Sequence, residues 1–147
     1  MSRTHFLLTT ACLSIGVAIA MPAGAQSAAT GAPVPHVVLV KLVDRSGALP
    51  FAFEPANFTA QRGDTLRFVQ ASAQMHNVHF KTEPKGAKLG GAATSPYLTA
   101  KGQSYTVVVD SRFSDGKYEI VCDPHDALGM HGFLTVLGGA GGSSTGK

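Results

Sequence analysis

Between positions 36 and 137, short apolar-rich runs alternate with turn signals, and within several runs apolar and polar side chains trade places every second residue. That period belongs to strands with one buried face. The runs are His36 to Val43, Phe51 to Thr59, Thr65 to Ala71, His76 to Phe80, Ser104 to Asp110, Lys117 to Cys122 and Gly132 to Leu137. Arg45-Ser46-Gly47, Arg62-Gly63-Asp64, Lys85-Gly86 and Asp115-Gly116 are among the breaks between them. No stretch keeps an apolar period of 3.6 residues, so long helices are not expected, although Glu83 to Leu98 has room for a short helical turn. The pattern predicts an all-β sandwich of about seven to eight strands. In Lys117 to Cys122 the alternation places Tyr118, Ile120 and Cys122 inward and Lys117, Glu119 and Val121 outward. By the same rule His76, Val78 and Phe80 share one face, and Asn77 and His79 the other.

The two ends follow different rules. Arg3, the apolar stretch Phe6 to Met21 and Ala23-Gly24-Ala25 read together as a secretory signal peptide at 1–25. Thr9, Thr10 and Ser14 interrupt that stretch and leave it short of the ~20 apolar residues of a spanning helix, so no membrane insertion is expected after cleavage. Lipid attachment at Cys12 is disfavoured, because Thr9-Thr10-Ala11 lacks the usual Leu three residues before the cysteine. Residues 26–35 read as a flexible linker, 36–137 as the folded domain and 138–147 as a flexible Gly/Ser-rich tail.

Cleavage removes Cys12 and leaves Cys122 unpaired, so no intramolecular disulfide is available. An unpaired thiol in an oxidising compartment, here the periplasm, calls for a reason, and metal ligation supplies one. Loss of Arg3 takes the formal charge one unit below the +3 of the full chain. Neither a basic cluster with interleaved aromatics nor an acidic block is present, which argues against nucleic-acid binding and against a strongly charged docking face.

The chemistry-bearing residues are concentrated in Cys122-Asp123-Pro124-His125-Asp126-Ala127-Leu128-Gly129-Met130, with His76 far upstream in Met75-His76-Asn77. One thiolate, two imidazoles and one thioether make the donor set of a blue-copper electron-transfer centre. With Cys122 at a strand end, a tight loop brings His125 and Met130 onto the same ion. Pro124 stiffens that loop and Gly129 lets it turn. Each residue alone has a plainer explanation: an inert buried thiol, a satisfied polar histidine, a core methionine. Together those explanations need four coincidences, whereas copper needs one cause. His36, His79 and His131 read as surface or structural residues, with His131 the alternative ligand should the loop rearrange, and Met75 reads as packing.

On these residues the chain resembles a small cupredoxin of the plastocyanin and pseudoazurin group. The likeness is carried by Phe53-Glu54-Pro55-Ala56-Asn57-Phe58-Thr59 through Arg62-Gly63-Asp64-Thr65-Leu66, by His76-Asn77-Val78, by Ser95-Pro96-Tyr97-Leu98, and by Gly116-Lys117-Tyr118-Glu119-Ile120-Val121-Cys122 through Gly132. It implies a Greek-key β-sandwich holding one type 1 copper ion, with His76 and His125 ligating through ring nitrogens, Cys122 through thiolate and Met130 as the long axial ligand. It also implies that Asn77 ties the two ligand segments together near the sulfur. Asp123 stands where Ser or Thr is common after the cysteine, which leaves the form of that tie open.

The resemblance further implies that His125 reaches the surface as an electron port amid Pro124, Ala127, Leu128 and Gly129. A port of that kind fits transient docking of a monomer to redox proteins, such as a cytochrome or a terminal reductase or oxidase, with Lys81, Lys85 and Lys88 as a mild rim or a solvated loop. The expected function is a periplasmic carrier of single electrons. The rival is copper storage or delivery, which favours exposed Met- and His-rich segments that this chain lacks. Catalysis is not expected, because copper enzymes built on related folds need a second copper cluster and additional histidines.

Overall fold

The computed structural model describes residues 34–138. The expected signal peptide, most of the expected linker and nearly all of the expected tail lie outside the described residues. Among the described residues there are eight strands: β1 (Val37–Asp44), β2 (Phe51–Glu54), β3 (Asn57–Gln61), β4 (Thr65–Gln70), β5 (His79–Thr82), β6 (Ser104–Val108), β7 (Gly116–Val121) and β8 (His131–Leu137). They form two four-stranded sheets ordered β2-β1-β4-β6 and β3-β8-β7-β5. β1 runs parallel to β4 and β3 to β8, while the other pairs are antiparallel. The result is the β-sandwich that the alternating pattern predicts.

Two of the expected runs are built differently. Phe51 to Thr59 is not one strand: Pro55 offers no N–H to a ladder, so β2 ends before it on β1 and β3 begins after it on β8. The chain thereby crosses from one sheet to the other. His76 to Phe80 is not a regular strand either, because β5 begins only at His79. His76 exchanges backbone bonds with Leu98 at 3.2 and 2.7 Å, and the Val78 N–H donates to Ser95 Oγ at 2.9 Å. Held from the side in this way, His76, Asn77 and Val78 are all buried, and the alternation fails there. The helical turn expected in 83–98 is a single 3₁₀ turn at Gly90–Ala92.

The core lies between the sheets. Phe68 on β4 meets Phe53, Phe58 and Phe80 edge-on, at centroid distances of 6.5, 6.1 and 6.3 Å. That is the arrangement aromatic quadrupoles favour, and each such side chain contributes about 1.5–3 kcal/mol by leaving water. Tyr118 is fully buried, and its hydroxyl donates to the Ser114 carbonyl at 2.9 Å and accepts from the Ser114 N–H at 2.8 Å. Along β7, Tyr118 and Ile120 lead inward to Cys122 as expected. Val121 departs from the expected outward row, for it is buried between its register partners His79 and His131.

Candidate metal centre

Cys122 follows the last residue of β7, His125 lies in a 3₁₀ turn over Asp123–Leu128, and Met130 immediately precedes β8. Inside this loop the Cys122 N–H donates to the Met130 carbonyl at 3.3 Å and the Met130 N–H to the His125 carbonyl at 3.1 Å. Gly129 ends the turn at φ +82°, and a Cβ there would sit 2.9 Å from Leu49 Cδ2. The left-handed backbone conformation is what favours glycine here, since the exposed Leu49 tip can move aside.

His76, Cys122 and His125 converge, with Met130 fully buried in the same loop. Cys122 Sγ lies 3.5 Å from His76 Nδ1 and 3.4 Å from His125 Nδ1, and the two Nδ1 atoms are 3.1 Å apart. A triangle with these sides has a circumscribed radius of about 1.9 Å, close to the ~2.0–2.1 Å of a metal–imidazole bond and a little under the ~2.3 Å of metal–thiolate. One ion therefore fits between the three donors with a few tenths of an ångström of breathing.

Neighbouring groups hold each donor in place. His76 is fully buried, and its Nε2 lies 3.1 Å from Asp44 Oδ1 and 3.2 Å from Ser72 Oγ. A carboxylate only accepts, so Nε2 carries the proton and Nδ1 presents its lone pair to the other donors. Burial holds His76 below the ordinary imidazole range, although Asp44 pulls the other way. The His125 ring stacks on Phe51 at a centroid distance of 3.7 Å and an interplanar angle of 19°. Burial and the nearby His76 lower its basicity as well. Burial pushes the Cys122 thiol up, opposed by backbone N–H groups of Asn77 and His125. A bound cation reverses that balance by stabilising the thiolate.

The tie between the two ligand segments is present in a modified form. Asn77 Oδ1 accepts the Asp123 N–H at 2.8 Å, Asn77 Nδ2 donates to Asp123 Oδ2 at 2.6 Å, and the Asn77 N–H lies 3.5 Å from the sulfur. The carboxylate at position 123 thus takes part in the tie, and its second oxygen lies 2.7 Å from His79 Nδ1. Burial works against this carboxylate, but His79 and Asn77 outweigh it and keep its pKa below the usual range.

The other histidines among the described residues are engaged elsewhere. His36 is exposed beside Asp64, and His131 spans Glu119 and Asp126 at 2.9 Å each, so neither is a donor here. Lys81 is drawn into an ion pair with Asp126 at 2.6 Å, which reduces it as a free element of a positive rim. Sequence reading missed Asp44, Ser72 and Phe51. Asp44 reads as the end of a strand before a turn, and its contact with His76 spans 32 positions that no local pattern links.

The sequence profile of the copper binding proteins, plastocyanin/azurin family, matches residues 38–137. The chain belongs to this family. Plastocyanin of Scenedesmus fuscus is 38% identical over 101 residues, covering 67% of this chain and 98% of that protein. Plastocyanin of Nostoc punctiforme is 36% identical over 103 residues, covering 67% of this chain and 73% of that one. Among solved structures, oxidised plastocyanin from Dryopteris crassirhizoma superposes with a TM-score of 0.56 at 28% identity, covering 68% of this chain and all of that chain. A pseudoazurin from Sinorhizobium gives a TM-score of 0.50 at 31% identity, covering 71% of this chain and 76% of that one. As a member of the plastocyanin/azurin family the protein is a cupredoxin of the electron-transfer type. Copper is its cofactor, and the sulfur and nitrogen donors at His76, Cys122 and His125 fit it.

Proposed function

We propose that the mature chain is a periplasmic shuttle that takes one electron from a redox protein and gives it to another, with His76, Cys122, His125 and Met130 holding the ion. The observation that carries this reading is the triangle of Nδ1, Sγ and Nδ1, buried at His76 and Cys122 and half-buried at His125, built from two segments whose orientation is fixed by hydrogen bonds independent of any metal. A bound copper ion supplies the Cu(I)/Cu(II) couple, and a mixed imidazole and sulfur set serves both states. The chain supplies rigidity. Asp44 and Ser72 orient His76, Phe51 braces His125, and the Asn77–Asp123 clasp keeps the loop seated against the segment that carries His76. Donors that need little rearrangement on a change of charge suit rapid transfer.

His125 is half-buried while Pro124, Ala127, Leu128 and Gly129 around it are exposed, which supports the imidazole edge as the electron port. Leu128 is 50% exposed and Leu49, packed near Gly129, is 58% exposed. An apolar rim of this kind favours brief docking over a small area, under about 1,200 Å² in total.

The test is the visible and EPR spectrum of the mature chain with one equivalent of Cu(II), before and after ascorbate. An intense thiolate-to-copper band with narrow hyperfine splitting, lost on reduction and restored on oxidation, is expected. A pale complex with ordinary splitting would remove Cys122 from the centre and bring copper storage or delivery forward.

A further inference from the structure

Asp44, besides orienting His76, sets a carboxylate directly behind the imidazole that would hold the ion. Asp44 is the last residue of β1, in the sheet opposite the one that carries the ligand loop, and its side chain is 31% exposed. Oδ1 faces His76 Nε2 at 3.1 Å, while Oδ2 accepts the backbone N–H groups of Ala73 and Gln74 at 3.2 Å each. One carboxylate thus fixes both the buried imidazole and the loop that delivers it. Three donors converge on Asp44, and a carboxylate acceptor on Nε2–H makes Nδ1 a stronger electron donor than a neutral acceptor does. Ser72 Oγ reaches the same nitrogen at 3.2 Å but is neutral.

We propose that Asp44 is a positioning residue of the centre, which selects the Nδ1-presenting form of His76 and biases the ion toward Cu(II). The inference rests on the proposed copper centre. Its direction follows from charge: added electron density on the imidazole stabilises Cu(II) more than Cu(I). Partners of this kind alter metal affinity by ~10- to 100-fold. Asp44→Asn keeps an acceptor of the same shape and removes the charge, so it isolates the electronic part. Asp44→Ala removes both.

The test has a metal-free arm and a loaded arm. In the metal-free protein, long-range ¹H–¹⁵N spectra are expected to show His76 with its proton on Nε2, kept in Asp44→Asn and mixed with the other tautomer in Asp44→Ala. In the copper-loaded protein, Asp44→Asn should weaken Cu(II) relative to Cu(I) about tenfold, a rise of about 59 mV in reduction potential for a one-electron couple. The thiolate band should stay. A wild-type chain with the His76 proton on Nδ1 overturns the proposal. So does an Asp44→Asn potential that moves less than twofold, about 18 mV on the same scale, even if the metal-free variant unfolds more easily, since that pattern is a loop-holding role alone. A blue wild type whose potential Asp44→Asn leaves unmoved defeats this inference and leaves the copper centre standing. A wild type with no thiolate band defeats both.

Discussion

Truncating Asn77 to Ala tests whether the clasp between the ligand segments is built into the fold or imposed by the metal. The residue is 2% exposed and makes two side-chain bonds to Asp123, of which one is to a carboxylate and one comes from a backbone N–H. A hydrogen bond to a charged group contributes about 1.5–3 kcal/mol, and a buried N–H left without an acceptor costs about 1–3 kcal/mol. His79 still pairs with the carboxylate, and water reaches Asp123 from outside, so the lower half of each range applies. The metal-free variant should therefore lose about 3 kcal/mol. That is a large share of the 5–15 kcal/mol typical of a domain and lowers Tm by ten degrees or more. Urea unfolding followed by far-UV circular dichroism, with no copper present, measures the loss. Asn77→Asp should be no better at neutral pH, since it keeps an acceptor for the Asp123 N–H but sets two carboxylates against each other. A loss under about 1 kcal/mol in Asn77→Ala would refute the reasoning. It would mean that the two segments are held together chiefly by the ion.

Three further expectations concern separate parts of the molecule. Cys122→Ser should abolish the thiolate charge-transfer colour while the circular dichroism of a β-sandwich persists; retained colour would exclude Cys122 as a ligand. Met130→Gln should retain copper and lower the reduction potential, because a harder oxygen donor favours Cu(II); an unchanged potential in voltammetry would exclude Met130 from the centre. Asp64 is buried, and although burial raises its pKa, the N–H groups of Gln61 and His36 outweigh that and hold it below the usual carboxylate value. Its stabilising contribution is thus present above the unfolded pKa of about 3.9 and disappears as the pH falls through the lower folded value. Asp64→Asn should cost about 1–3 kcal/mol at pH 7 and flatten the acid limb of a urea-midpoint series; an unaltered limb would show that Asp64 does not drive it.

Much of this could be read before any coordinates. The inward row Tyr118, Ile120, Cys122 follows from a period of two, and the donors at 122, 125 and 130 are a local motif whose spacing only a tight loop satisfies. What escaped the pattern was non-local or irregular. Pro55 divides a run that looks continuous, and only sheet pairing reveals that its halves belong to different layers. Burial of Asn77 between Val78 and His76 breaks alternation because its amide turns to Asp123, 46 residues away. Asp44 and Phe51 carry no signature at all: an acid at a strand end and an aromatic after Pro50 acquire meaning only once His76 and His125 are placed against them.

The loop bearing Cys122, His125 and Met130 starts and finishes on β7 and β8, whose antiparallel register runs from Gly116–Val136 to Val121–His131 without a slip. The hairpin is therefore closed below the loop, whatever the loop contains. Residues between 122 and 130 lie outside that register, so the pairing of β7 with β8 does not depend on them, and His76 is held from outside the loop by Leu98, Asp44 and Ser72. The fold in this sense is a socket: the paired strands of the sandwich form the frame, and the donor segment sits at its open end.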